Sequence, residues 1–296
     1  MIVIPGPASE RLGARIVSSL EVGVGKLEHR TFPDGEDYIR IRAEVGGETA
    51  VLVQTTSPNP DVKLMQLLLM ASTATDLGAR RVIAVAPYLA YSRQDKRFKE
   101  GEALSLEVVL NLLESVGVDD LLVVDIHSER SLRRLESGKD LKVHNLSAIP
   151  LLADHLRGEG YQGAYSLSPD EGAVDLAKTA AGILKGDYDY FQKRRDRTTG
   201  DISMKVKRLD VEGKKAAVFD DIISSGGTMS RAVKALKEQS ASKVAAVCTH
   251  ALFMSNAEER IEQAGADLIL ASDTIETPYS KVTIAGLVAD YLQSLE

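Results

Sequence analysis

The sequence predicts an α/β fold of mainly parallel sheets flanked by helices, and predicts it twice over. Short runs of Val, Ile, Leu and Ala alternate with longer stretches of helical periodicity. Continuous apolar strands separated by helices mark a parallel sheet covered on both faces. The chain also resembles itself. Residues 79–92, "ARRVIAVAPYLAYS", share the pattern of 241–254, "ASKVAAVCTHALFM", and "DLLVVD" from Asp120 matches "DLILAS" from Asp267. With 296 residues, 44% of them hydrophobic, there is core enough for two ordinary domains.

In chain order, "TAVLVQ" from Thr49 is the first such strand. The turn "SPNPD" then announces a helix through "VKLMQLLLMASTATDL", closed by Gly78. "RRVIAVAP" from Arg80 is the next strand. A helix starting near Ser105 in "SLEVVLNLLESV" is expected to place Val109, Leu112, Leu113 and Val116 on its buried face and to stop at Gly117. "DLLVVDIH", "KKAAVFDD", "KVAAVCTH" and "DLILASD" complete the strands, and "MSRAVKALKE" reads as a helix. The duplication divides the chain at 1–144 and 145–283, with a final helical stretch, 284–296, expected to pack back on the first domain. The interval between the matched strands is longer in the first copy, and its most polar part is "RQDKRFKEGE", 93–102. An inserted charged loop after a strand is a candidate site, since α/β proteins bind ligands beyond the carboxyl ends of their strands.

Lys and Arg number 36 against 43 Asp and Glu, a net charge of −7. That balance argues against bulk capture of nucleic acid or an acidic membrane surface, so any phosphate site must be local. A single cysteine, Cys248, excludes an internal disulfide and, within an apolar run, reads as buried strand packing. The start has no basic segment leading into a long apolar one, and no run approaches the roughly 18 apolar residues of a membrane span. A cytoplasmic protein is expected.

The stretch "VFDDIISSGGT", 218–228, carries the clearest chemistry. Small residues from Ser224 through Ser225, Gly226 and Gly227 to Thr228 let backbone N–H groups turn toward an anion, with a helix N-terminus behind them. No Lys follows the glycines and the dinucleotide spacing of three glycines is missing, so this is neither of those phosphate loops. Asp220 and Asp221 end the strand just before it. Adjacent acids repel a bare phosphate but suit ribose hydroxyls, which donate hydrogen bonds to carboxylates, or a hydrated Mg²⁺. A sugar phosphate satisfies both demands.

This loop resembles the 5-phosphoribosyl-1-pyrophosphate (PRPP) motif of phosphoribosyltransferases and of ribose-phosphate pyrophosphokinases, the PRPP synthases. Ser224 and Ser225 stand where members usually carry Asp-Thr or Ser-Thr, and they keep the hydrogen-bonding capacity. Other stretches are similar to the synthases in particular. "TFPDGEDYIRI", 31–41, turns at Pro33 and Gly35; the residues alone require no more than a turn. Its resemblance to the segment that reaches into a neighbouring subunit's ATP site implies nucleotide contacts at Phe32, Asp34, Gly35 and Glu36, and a homo-oligomer that shares its ATP site between subunits. "YSRQDKRFKEGE" is similar to the synthase segment Tyr-x-Arg-Gln-Asp, which implies that Arg93 and Gln94 hold the nucleotide. Arg93 brings a planar fork and a cation, Gln94 both donor and acceptor.

An isolated histidine is more often structural than a ligand, but His127, in "VVDIHSERS", stands at the carboxyl end of a strand, where ligands bind. The resemblance implies contact with the Mg²⁺ of Mg-ATP. Asp170, in "LSPDEGAVDLA", ends a strand before a helix, with Ala173 at the second glycine of the family's Pro-Asp-x-Gly-Gly. It is implied to be metal-linked. "FQKRRDRTTGDIS", 191–203, is the strongest basic cluster, with Lys193, Arg194, Arg195 and Arg197. Its Lys-x-Arg is similar to the mobile catalytic loop of PRPP synthases, implying that Lys193 and Arg195 neutralise charge on the transferring phosphates.

The resemblance implies two phosphoribosyltransferase-like domains, the first turned over to ATP and the second binding ribose 5-phosphate. The implied reaction moves the β,γ-pyrophosphoryl group of Mg-ATP to the 1-hydroxyl of ribose 5-phosphate, giving PRPP and AMP. A PRPP-consuming phosphoribosyltransferase is the rival enzyme, and would not usually carry "SRQD". A non-catalytic synthase-associated subunit is the other rival, and damage at Lys193 or Asp220 and Asp221 would be expected in it.

Overall fold

A computed structural model describes residues 1–195, 202–205 and 209–295, with 192–195 and 202–205 described as backbone only. The chain divides into two compact units, Met1–Leu146 with Thr283–Glu296, and Ser147–Val282.

The first unit runs β1 (Ile2–Pro5), α1 (Glu10–Leu20), β2 (Gly23–Val24), β3 (Lys26–Thr31), β4 (Asp37–Arg42), β5 (Thr49–Val53), α2 (Pro60–Asp76), β6 (Arg81–Val85), α3 (Ser105–Ser115), β7 (Asp120–Val124), α4 (Glu129–Glu136) and β8 (Lys142–Leu146). The second runs α5 (Ile149–Leu156), β9 (Tyr165–Ser168), α6 (Val174–Leu184), β10 (Tyr188–Tyr190), β11 (Gln192–Arg195), β12 (Ile202–Lys205), β13 (Lys215–Ile223), α7 (Gly227–Glu238), β14 (Lys243–Ala251), α8 (Ala257–Gln263), β15 (Leu268–Ser272) and β16 (Ser280–Val282); the last helix, α9 (Ala285–Ser294), belongs to the first unit.

The two sheets repeat one plan. The first is ordered β2-β1-β5-β6-β7-β8 and the second β10-β9-β13-β14-β15-β16, every pairing parallel. Each unit also inserts a two-stranded antiparallel ribbon, β3–β4 or β11–β12, at the same topological point, just after the edge strand β2 or β10. The self-similarity of the sequence is thus a duplication of fold. Strands β5 and β7 are buried at every position, the reason they read as unbroken apolar runs.

The helices cover these faces. In α3 the buried residues are Leu106, Val109, Leu110 and Leu113, a spacing of three, four and seven. Leu112 is 41% exposed, contrary to the face expected from sequence. The apolar residues wrap most of this helix, so periodicity alone allows two stripes, and packing against the sheet selects the one centred on Leu110. Helix α9 packs on α1 and α5 packs on α6. A polar chain fastens α9: Tyr291 Oη lies 2.8 Å from His144 Nδ1, His144 Nε2 2.8 Å from Asp120 Oδ1, and Arg81 donates both to Asp120 Oδ2 at 2.6 Å and to the Leu295 carbonyl at 2.9 Å. Burial alone would raise the Asp120 pKa, but the hydrogen bonds from His144 and Arg81 and the Arg81 charge leave it below the usual value.

Candidate active site

Parallel strands bring all their carboxyl ends to one edge, and a crevice opens where neighbouring strands send their chains in opposite directions. In the second unit that point lies between β9 and β13. The register Leu167↔Val218 carries Asp170 close to the level of Asp220 and Asp221. Asp170 accepts the Gly172 amide at 2.9 Å, and Ser168 Oγ donates to its carbonyl at 2.7 Å. These two bonds fix the turn before α6.

Strand β13 continues through Ile223, so Asp220 and Asp221 lie within it rather than at its end. The reason is that β14 stays paired alongside as far as Ile223↔Ala251. Both acids are half-buried. Opposite Asp220 is Cys248, whose thiol pKa burial and then the Asp220 charge push far up. It is a buried packing residue, not a nucleophile.

Residues 224–228 turn from β13 into α7. Gly226, at φ +71°, caps the helix, and a Cβ there would lie 2.8 Å from the Ala257 carbonyl oxygen. Only glycine meets both conditions. The back of the turn is held by the β14–α8 connection, where Met254 donates to Ser224 O at 2.9 Å, and by α8, where Arg260 Nη1 donates to Ser225 O at 2.7 Å. The first-turn amides of α7 have no acceptor within the helix, which leaves a concave, electropositive cradle.

The basic segment begins at the same edge. Tyr190 pairs with Ser168, and buried Phe191 donates its amide to Ser168 O at 3.0 Å. Within it, residues 192–195 pair antiparallel with 202–205, with Lys193 opposite Met204 and Arg195 opposite Ile202. Two-residue alternation gives positions 193 and 195 one face of β11. Their side chains, and Arg197 altogether, lie outside the described residues.

The equivalent point of the first unit, between β1 and β5, is closed. Gln54 stands there, fully buried, accepting the Ala8 amide at 2.9 Å and donating to Gln66 Oε1 at 2.8 Å. A Cβ on Gly6 would meet its Oε1 at 2.4 Å. Pro58, in the turn that leads to α2, and Pro60, the first residue of that helix, have no N–H to offer. No anion cradle forms.

The nucleotide candidates of this unit sit two strands along, beyond β6 and β7, where two loops interlock. Val124 donates to Pro87 O at 3.2 Å. Asp95, 5% exposed, accepts the Ser131 and Ser128 hydroxyls, and Arg134 donates to its carbonyl at 2.9 Å. Burial would raise the Asp95 pKa, but the two hydroxyl bonds hold it below the usual value. Arg93 and Gln94 precede this clamp and His127 precedes Ser128, so all three are carried by one fastened loop pair. Glu102 shapes the excursion by accepting the amides of Phe98 at 2.7 Å and Lys99 at 3.1 Å, bonds that lower its pKa.

The tip of the β3–β4 ribbon carries the other candidates. Gly35 has φ +97°, Glu36 donates its amide to Asp34 Oδ1 at 3.2 Å, and Phe32 is exposed, edge-on to Tyr38 at 6.2 Å. At the base, Asp37 accepts from Gln66 of α2 at 3.0 Å and lies 2.6 Å from His29 Nε2.

Residues 1–117 match the model of the N-terminal domain of ribose phosphate pyrophosphokinase, and 152–285 that of the phosphoribosyl transferase domain. Over 97% of this chain and 97% of the relative's, it is 39% identical to a ribose-phosphate pyrophosphokinase of Sulfurisphaera tokodaii. It is 38% identical to one of Methanopyrus kandleri over 100% and 99% of the two chains. The crystal structure of phosphoribosylpyrophosphate synthetase from Mycobacterium smegmatis superposes with a TM-score of 0.87 at 28% identity, covering 99% of this chain and 98% of that one. The chain belongs to the ribose-phosphate pyrophosphokinase family.

Its two units are accordingly phosphoribosyltransferase-type domains, and its activity is PRPP synthesis. Consumption of PRPP and a non-catalytic role are not favoured. Within this pyrophosphokinase, sequence reasoning missed the residues that support the site. Asp95 had a signal, an acid inside "SRQD", but its clamp on Ser128 and Ser131 depends on β6 and β7 being neighbours. Arg260 had none, being one charge among the acids of a surface helix.

Proposed function

We propose that the first unit binds ATP, the second binds ribose 5-phosphate, and the β,γ-pyrophosphoryl group passes to the ribose 1-hydroxyl, giving PRPP and AMP. One contrast carries this reading: the switch-point turn of the second unit is an open amide cradle beside Asp170, Asp220 and Asp221, whereas Gln54 fills the same point in the first. The amides of 226–228 with the Ser224, Ser225 and Thr228 hydroxyls hold the 5-phosphate. Asp220 and Asp221 accept from the ribose hydroxyls and so orient the 1-hydroxyl for in-line attack at the β-phosphorus.

Arg93 and Gln94, with Phe32, Asp34, Gly35 and Glu36 of the ribbon tip, hold the nucleotide. The exposed tip suits a second copy of the chain, so the active form is a homo-oligomer. Lys193 and Arg195 supply positive charge against the negative charge that develops on the transferring group. Among the described residues no three His, Cys, Asp or Glu side chains gather as a metal centre. The donors present fit Mg²⁺ bound in its usual sparse manner, one or two carboxylates sharing it with waters and phosphates. Asp170, in the second unit, would hold one such ion directly, and His127, in the first, would reach the Mg²⁺ of Mg-ATP through water, since imidazole is a poor ligand for so hard a cation. When bound, Mg²⁺ neutralises phosphate charge.

No helix among the described residues is long and apolar enough to cross a membrane; we place the enzyme in the cytoplasm. Purified protein with Mg-ATP and ribose 5-phosphate is expected to yield AMP and PRPP in equal amounts. AMP release that does not depend on ribose 5-phosphate, or no product, overturns the reading.

A further inference from the structure

The cradle owes its shape to contacts made behind it. Leu252 and Phe253 donate their amides to Ile223 O at 3.0 and 3.2 Å, and Met254 donates to Ser224 O at 2.9 Å. The next carbonyl, Ser225 O, is held by a side chain, Arg260 Nη1, at 2.7 Å. A trans peptide is planar, with its C=O and the following N–H pointing in opposite directions. Anchoring Ser225 O on α8 therefore turns the Gly226 N–H away from α8. Gly226 lies in the left-handed region and α7 begins at the next residue. The amides of 226, 227 and 228 thus follow one another with no helical acceptor, an anion-binding nest whose first member is set by Arg260.

A Cβ built on Gly227 would lie 3.7 Å from Arg231 Nη1 and 3.9 Å from Arg260 Nη1. Two guanidiniums therefore border the first helical residue of the cradle, well within a Debye length of about 8 Å. Arg260 is exposed, so neither core packing nor area burial accounts for it.

We propose that Arg260 is a positioning residue for ribose 5-phosphate: its guanidinium pins the 225–226 peptide so that the Gly226 N–H faces the 5-phosphate, and its charge adds to the attraction. This rests on the reading of 224–228 as the 5-phosphate site. A lysine at 260 keeps the charge and one donor but loses the planar fork. A methionine keeps the length and loses both.

The test compares steady-state kinetics of the full-length enzyme carrying Arg260→Met, Arg260→Lys or Gly226→Ala. Arg260→Met is expected to raise KM for ribose 5-phosphate by about tenfold or more, as for loss of a charged hydrogen bond. KM for ATP should stay within about twofold and kcat within about threefold, and Arg260→Lys should restore most of the ribose 5-phosphate KM. If Gly226→Ala raises that KM and Arg260→Met does not, the role of Arg260 is overturned and the cradle stands. If neither variant moves it, the cradle reading falls and the proposal with it. Equal losses toward both substrates, unrelieved by lysine, mean that Arg260 only braces α8, which also overturns it. Should Arg260→Met fail to fold, Arg260→Gln, too short to reach Ser225 O, replaces it under the same criteria.

Discussion

Replacing Gly226 by alanine probes the cradle most directly, because two independent costs can be read from the structure. At φ +71° an L-residue is strained by about 1–2 kcal/mol. The added Cβ would also lie 2.8 Å from the Ala257 carbonyl oxygen, 2.9 Å from its Cβ and 3.0 Å from its Cα. These are atoms of a helix's first turn, with no flexible side chain to swing aside, so α8 and the cradle must separate. Overpacking of this kind costs about 1–3 kcal/mol. The sum predicts a stability loss of about 2–5 kcal/mol, read by urea unfolding. The displacement falls on the peptide whose amide faces the phosphate, so ribose 5-phosphate KM rises by at least about tenfold, equivalent to about 1.4 kcal/mol. Gly227→Ala is the control: its φ is not positive and the nearest atom, 3.7 Å away, is the mobile end of Arg231. It should change stability by no more than about 0.5 kcal/mol. A Gly226→Ala enzyme as stable as the parent with unchanged KM, or a Gly227→Ala enzyme damaged equally, refutes the reasoning.

Further outcomes are expected elsewhere. Lys193→Ala should lower kcat by about 10²- to 10³-fold with far smaller changes in either KM; comparable losses in kcat and KM would contradict a transition-state role. Asp95→Ala frees the 93–102 loop from Ser128 and Ser131, so KM for ATP should rise by about tenfold while that for ribose 5-phosphate holds. A rise in both would show that Asp95 supports the fold at large. The lowered pKa of Asp120 means that its contribution to stability is complete above the unfolded value near 3.9 and is lost as pH falls through the folded value. Asp120→Asn should therefore flatten the fall of stability with pH below about 4, measured by urea unfolding across pH. An unchanged slope would exclude Asp120 as a source of acid lability. Buried Tyr161, its pKa pushed up to about 12, makes the opposite contribution: stability present below about 10 is lost between about 10 and 12. Tyr161→Phe should remove that alkaline step from the unfolding profile.

The sequence by itself determined whatever is local or periodic. Buried parallel strands read as apolar runs because two covered faces leave no polar alternation, and "DDIISSGGT" could be interpreted because one contiguous stretch supplies both, carboxylates from the end of the strand and amides from the turn that follows it. The duplication showed in pattern for the same reason, each copy having to satisfy the same burial. Tertiary structure decided whatever needs a neighbour. Which stripe of α3 is buried depends on the face it turns to the sheet, and Leu112 lost that choice to Leu110. Gln54 closes one switch point only because Gly6 and Ala8 of β1's loop adjoin β5, and Asp95 clamps Ser128 only because β6 lies beside β7. Arg260 reaches Ser225 across 35 positions of sequence. Hydrogen bonds act over about 3 Å while the chain between their partners runs far longer, so only the folded arrangement of strands could say which groups would meet.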